Sequence, residues 1–83
     1  MYYQLYYDRE NFIIEVKTIK GVFKREDFVN RLAQLGEDEV WEFNNCYKFS
    51  KNKKALKQEA LNMKNTWIKE LTDRIEKIEA IKI

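Results

Sequence analysis

The chain has 83 residues, with 16 basic and 14 acidic side chains, a formal net charge of +2, one Cys, two Gly, and neither His nor Pro. This length predicts a single domain, residues 1–83, with a thin core. The lack of His excludes Ser-His and Cys-His nucleophile pairs and imidazole metal ligands, and two isolated glycines exclude a glycine-rich phosphate loop. The composition leaves either carboxylate and lysine chemistry or no chemistry at all. We expect the second, a protein that is not an enzyme, with no catalytic residues, no cofactor and no metal site.

Hydrophobicity and cysteine content also favour certain cellular compartments over others. The apolar runs are only a few residues long, which predicts neither a transmembrane helix nor a secretory signal peptide. The single cysteine, Cys46, cannot form an internal disulfide, and such usage is typical of a reducing compartment. We therefore expect a cytoplasmic protein without a membrane partner, in which Cys46 is a small buried hydrophobic residue rather than a nucleophile.

Residues 1–20 have the period-two pattern of a β-hairpin. Aromatic and aliphatic residues alternate on both sides of a polar segment at residues 8–11. A four-residue loop at that segment places Tyr7 opposite Phe12 on the buried face. Gly21 is predicted to separate this hairpin from the next element.

A short helix is predicted over residues 25–35, where Phe28, Leu32 and Leu35 recur at helical spacing. Gly36 follows, and we expect it to end the helix in the left-handed conformation.

Residues 40–49 return to period two, with aromatic residues of one parity interrupted by Asn45. They form either one long strand or two short strands joined by a turn at Asn44-Asn45. The hairpin is favoured because Asn tolerates the positive φ that such a turn needs.

The last third predicts a helix from about Asn52 to Glu79, with apolar residues at steps of three and four. Such a helix is about 40 Å long, whereas a compact chain of this size has a radius of gyration of roughly 12 Å. We therefore expect the helix to overhang the sheet and to contact a partner, which is either a second copy of the chain or another protein. The positions predicted for that contact are Trp67, Leu71, Ile75 and Ile78.

Together these elements predict an α+β fold in the order ββαββα. A small antiparallel sheet and a short central helix occupy residues 1–50, and a long amphipathic helix occupies residues 51–81. We expect both helices to cover the same face of the sheet.

Charge divides the chain into two halves. Residues 1–47 hold six basic and nine acidic residues, a net of −3, and residues 48–83 hold ten basic and five acidic residues, a net of +5. Positive charge at a helix N-terminus opposes the helix dipole, so stability alone does not explain the lysines there. They are a solvated face, a site for an acidic protein surface, or a site for phosphates. This basic patch consists of Lys48, Lys51, Lys53, Lys54, Lys57 and Lys64.

Two tyrosines on the first strand form a second candidate surface. Tyr2 and Tyr6 share one face of the predicted hairpin with Gln4 and Lys17. Such a face packs within the protein, forms a protein interface, or stacks nucleic-acid bases.

Two groups of acidic residues are candidate metal sites. Glu15-Val16-Lys17, with Asp8 upstream, resembles the core of the PD-(D/E)xK nucleases, and this resemblance implies two carboxylates that hold Mg²⁺ and a lysine that orients water. The second group either binds a divalent cation or pairs with the basic start of the long helix. It comprises Glu37, Asp38, Glu39 and Glu42.

The size and the Lys-, Ile-, Asn- and Tyr-rich composition resemble in kind the small proteins of phages and mobile elements, many of which block a host nuclease, CRISPR effector or polymerase. The sequence therefore predicts a non-enzymatic protein-binding module that modulates or inhibits another macromolecule. The alternative is a small nucleic-acid-binding protein that uses the basic patch and the tyrosine face.

Overall fold

The computed structural model describes residues 1–19 and 25–83. Its elements in chain order are β1 (Tyr2–Asp8), β2 (Ile13–Ile19), α1 (Glu26–Ala33), β3 (Trp41–Glu42), β4 (Tyr47–Ser50) and α2 (Lys53–Glu79). The strands form one antiparallel sheet in the order β2-β1-β4-β3. The predicted α+β class and the ββαββα order are confirmed, while Gly21 lies outside the described residues.

The β1–β2 hairpin pairs over seven residues on each strand, with Tyr7 opposite Ile14. Its loop is residues 9–12, one residue later than predicted, so Phe12 belongs to the loop and does not face Tyr7. The Asp8 carboxylate explains the shift, because it accepts hydrogen bonds from the backbone N–H groups two and three residues later.

The two helices lie on opposite faces of the sheet. Phe49 and Lys48 are neighbours on β4 and therefore point to opposite sides. Phe49 packs with Phe28 and Leu32 of α1, whereas Lys48 pairs with Glu59 of α2. The prediction that both helices cover one face is wrong. The physical reason is that β1 carries aromatic or aliphatic side chains on both faces, and each face needs a cover.

The core consequently consists of two thin layers. On the α2 side, Leu5 and Leu56 are fully buried. The layer on the α1 side is formed by Phe28, Leu32, Leu35 and Phe49.

Helix α1 ends without the predicted left-handed glycine. Gln34 is its C-cap in a right-handed conformation, and Gly36 lies outside the left-handed region. Instead, the Gly36 N–H donates to the Glu39 carboxylate, whose second oxygen accepts a hydrogen bond from Arg31. This local network ends the helix and holds the turn that follows.

The β3–β4 segment is the hairpin rather than one strand, as favoured from sequence. The predicted two-residue turn is wrong, because the loop is longer and neither Asn44 nor Asn45 has a positive φ. Its loop, residues 43–46, is held by the Asn44 side-chain oxygen, which accepts hydrogen bonds from the backbone N–H groups of Cys46 and Tyr47. Cys46 is exposed, so the prediction of a buried cysteine is wrong. The loop leaves it at the surface because it lies between the paired strands rather than within either one.

Helix α2 begins at a capping residue, Asn52, whose side-chain oxygen accepts hydrogen bonds from the N–H groups of Lys54 and Ala55. The radius of gyration is 16.7 Å and the longest extent is 59 Å. Both exceed what a compact chain of this length has, so the predicted overhang is confirmed. Neither α1 nor α2, the helices within residues 1–19 and 25–83, combines the length and hydrophobicity needed to cross a membrane.

Candidate interaction surfaces

The four positions predicted for a helix contact divide into two pairs. Trp67 and Leu71 are half-buried, whereas Ile75 and Ile78 are 54% and 66% exposed. Every residue from 72 to 83 is exposed. Ile81, which is not among the predicted positions, lies just beyond the end of α2 and is 63% exposed. We call Ile75, Ile78 and Ile81 the helix end.

The hairpin loop holds α2 at the last point where the helix meets the sheet. The Arg9 guanidinium lies over the rings of Phe12 and Trp67, at 5.2 and 5.3 Å from their centroids, and it forms a 2.9 Å ion pair with Glu70. Phe12 has a φ of 55°, which costs an L-residue about 1–2 kcal/mol. Its ring contacts offset that cost and fix the side of the helix that faces the loop.

The six lysines of the basic patch do not form one continuous exposed surface. Lys48 pairs with Glu59, and the Lys51 ammonium donates to the Ala33 carbonyl oxygen at 3.0 Å, so both tie the sheet and α1 to the start of α2. The remaining members are exposed and form no ion pair within the part of the chain that the structure describes. These members are Lys53, Lys54, Lys57 and Lys64.

Among the ion-paired cations of residues 1–19 and 25–83, Lys48 is the least exposed, with 13% of its side chain accessible. Burial alone would lower its pKa, but the hydrogen bond and the charge of Glu59 raise that pKa above its ordinary value. The ammonium also lies 5.7 Å from the centroid of the Tyr7 ring. Burial, followed by the charge of Glu42, raises the pKa of Tyr7.

The two tyrosines of the predicted stacking face have different surroundings. Tyr2 packs against the α1 core, whereas Tyr6 contacts Tyr47 at 5.4 Å between ring centroids. Desolvation, followed by the charge of Asp8, raises the pKa of the Tyr6 phenol, and the charge of Glu15 acts in the same direction. Lys17 pairs with Glu15 on the same face, so acidic and basic side chains are mixed around Tyr6.

The nuclease-like residues do not converge on a shared point. Glu15 and Lys17 pair with each other at 3.5 Å. The Asp8 carboxylate accepts a 2.6 Å hydrogen bond from the Asn11 side chain, which, with backbone N–H groups, lowers its pKa. No group of three or more metal-binding side chains occurs in residues 1–19 or 25–83. The structure thus lends no support to the metal centre that the resemblance implies.

The acidic turn contributes to structure. Glu39 pairs with Arg31, and Asp38 accepts a hydrogen bond from Asn52, the capping residue of α2. Asp38 thus pairs with the start of the long helix, as one of the two sequence interpretations expected, although its partner is an amide rather than a lysine.

No family model matches this chain, and comparisons with curated proteins and with solved structures find no significant match.

Proposed function

We propose that the protein is a non-enzymatic protein-binding module that binds another macromolecule through the helix end. The observation that carries the proposal is the exposure of Ile75, Ile78 and Ile81 on a segment that projects beyond the sheet. Single exposed apolar residues are ordinary, but Ile75 and Ile78 are an i, i+3 pair on the projecting end of α2, and Ile81 follows just beyond the helix. An i, i+3 pair belongs to the spacing by which a helix docks into an apolar groove.

The charges of the same segment indicate the chemistry of its partner. Residues 72–83 contain three acidic and three basic side chains, so their net charge is zero. A groove that receives them needs apolar depth and no strong charge of either sign. This favours a protein partner over phosphates.

Binding of this kind modulates or inhibits the partner by occupying its surface. The small size and the phage-like composition favour a host nuclease or a CRISPR effector as the partner. The chain itself supplies a rigid helix held in place by the hairpin loop.

The test compares partner capture by two variants of the full chain. Ile75→Glu/Ile78→Glu is expected to weaken capture of the partner from host-cell extract at least a hundredfold, because each buried isoleucine is worth about 1.5–3 kcal/mol. Lys77→Glu changes the net charge by the same two units at an exposed position on the opposite side of the helix from Ile75, so it is the matched control and should retain capture. Circular dichroism checks that both variants fold. Equal capture by wild type and Ile75→Glu/Ile78→Glu would overturn the proposal.

A nucleic-acid-binding role is the second candidate, and the exposed lysines on α2 favour it. Under the protein-binding proposal, we expect only weak oligonucleotide binding that disappears between 50 and 200 mM salt, as nonspecific phosphate contacts do (about 10³-fold or more is lost over this range when several phosphates are neutralised). Tight binding that survives Ile75→Glu/Ile78→Glu and is abolished by Lys53→Glu/Lys57→Glu/Lys64→Glu would instead establish the second candidate. Fluorescence anisotropy at both salt concentrations measures the difference.

A further inference from the structure

Strand β2 is a long sheet edge with a self-complementary sequence. Within residues 1–19 and 25–83, β2 pairs only with β1, and its seven residues contrast with the two of the opposite edge, β3. A long edge strand is a template for pairing with another strand. We propose that two copies of this chain form a symmetric dimer in which their β2 strands pair antiparallel and make one continuous sheet.

The backbone of β2 presents free groups at alternate residues. The Tyr7 N–H donates to the Cys46 carbonyl oxygen at 2.9 Å, so the Tyr7 backbone faces β4. Tyr7 lies opposite Ile14. Because the backbone groups of Tyr7 face β4, Tyr7 and Ile14 are a non-hydrogen-bonded pair of the β1–β2 ladder. The N–H and C=O groups of Ile14, and by alternation those of Val16 and Thr18, therefore point away from β1 toward the edge.

One register between two copies satisfies all of these groups. When the two-fold axis passes through Val16, the Val16 residues of the two copies lie opposite each other, and Ile14 of each copy lies opposite Thr18 of the other. Each of these three pairs exchanges two hydrogen bonds. The same register places Glu15 of each copy opposite Lys17 of the other. A shift of two residues either way loses one hydrogen-bonded pair and puts Glu15 or Lys17 opposite itself, which is unfavourable. Charge and backbone thus select the same register.

A groove beside the edge adds apolar surface to the same interface. It runs between α2 and the start of β2, and Ile68, which is 52% exposed, forms part of it. A two-fold axis perpendicular to the sheet places both α2 helices on the same face, and because Ile14 faces Thr18, the two grooves lie on opposite sides of the axis, each beside the partner copy's β2. The groove is lined by Phe12, Ile14, Lys64, Trp67, Ile68 and Leu71.

Charge exchange between the copies tests the proposal. Light scattering coupled to size exclusion should give twice the 10.2 kDa chain mass for wild type. Glu15→Lys and Lys17→Glu each put two like charges opposite each other and should weaken the dimer about tenfold or more. An equimolar mixture of these two variants restores both unlike pairs and should recover the dimer mass. Lys53→Glu, a charge change at the start of α2, is the control and should remain dimeric.

Three results would overturn the dimer. They are a wild type that stays at 10.2 kDa at high micromolar concentration, a dimer that Glu15→Lys and Lys17→Glu both leave intact, and a mixture that shows no gain over its components. The interface shares no residue with the helix end, so Ile75→Glu/Ile78→Glu should leave the mass unchanged. Failure of the dimer is therefore distinguishable from failure of the proposed function.

Discussion

Leu56→Ala is expected to lower the free energy of unfolding by about 2–5 kcal/mol, whereas Leu61→Ala should change it by less than about 0.5 kcal/mol. Both leucines belong to α2, and the two substitutions remove the same atoms. Leu56 is fully buried and Leu61 is 48% exposed. Only the first substitution leaves a cavity between helix and sheet.

This loss is large for so small a protein. A chain of 83 residues has a total stability of roughly 4–12 kcal/mol, so Leu56→Ala should approach complete unfolding at 37 °C. Urea titration followed by circular dichroism at 222 nm measures both variants. Similar losses at the two positions would mean that α2 does not pack on the sheet as described.

Lys48→Met is expected to lower the free energy of unfolding by about 1–3 kcal/mol, because it leaves the Glu59 carboxylate without its cation. The cost is kept in the lower part of this range by the exposure of Glu59, whose side chain is 32% accessible. Lys48→Met/Glu59→Leu removes both charges and should recover most of the loss. Lys57→Met, which removes an exposed lysine without a partner among the described residues, is the control and should be near neutral. A double variant as unstable as Lys48→Met would contradict this interpretation.

Because of the same contact, the free energy of unfolding is expected to fall as pH rises in the alkaline range. The pKa of Lys48 is raised above its ordinary value of 10.5, so its contribution is fully present below that pH and is lost as pH rises through the folded pKa. The raised pKa of Tyr7 acts in the same direction, because the unfolded chain releases the phenol proton first, near pH 10. Wild type should therefore lose stability above about pH 10, and Lys48→Met should lose less. Thermal unfolding across pH 8–11 measures the slope.

Local patterns were enough to predict the elements of this fold. Period-two aromatic residues located the strands, and steps of three and four located α2, because both signals lie within one segment. The overhang also followed from the sequence, since the length of α2 exceeds what a domain of this size can cover. The sequence did not predict that helices cover both faces of the sheet. Apolar residues at both odd and even positions of β1 are equally consistent with one face that exposes its aromatic residues.

The parts of the candidate surfaces that were missed depend on contacts between distant segments. Arg9 and Glu70 are 61 residues apart, and no sequence pattern links them. The basic patch looked continuous because lysines follow each other closely in the chain. The folded chain divides the basic patch because Lys48 on β4 pairs with Glu59 of α2 and Lys51 donates to the Ala33 carbonyl oxygen of α1. The left-handed conformation of Phe12 is likewise set by its contact with Trp67, whereas its residue type disfavours it.

The exposed thiol of Cys46 gives this chain a natural attachment point for a nitroxide spin label. In the proposed dimer, five strand intervals separate the two β4 strands, about 24 Å across the sheet, and the two Cys46 positions are also offset by about four residues, roughly 13 Å, along the strands. Pulsed electron paramagnetic resonance resolves separations of this size, so the wild-type protein allows the geometry of the proposed dimer to be tested without any engineered residue.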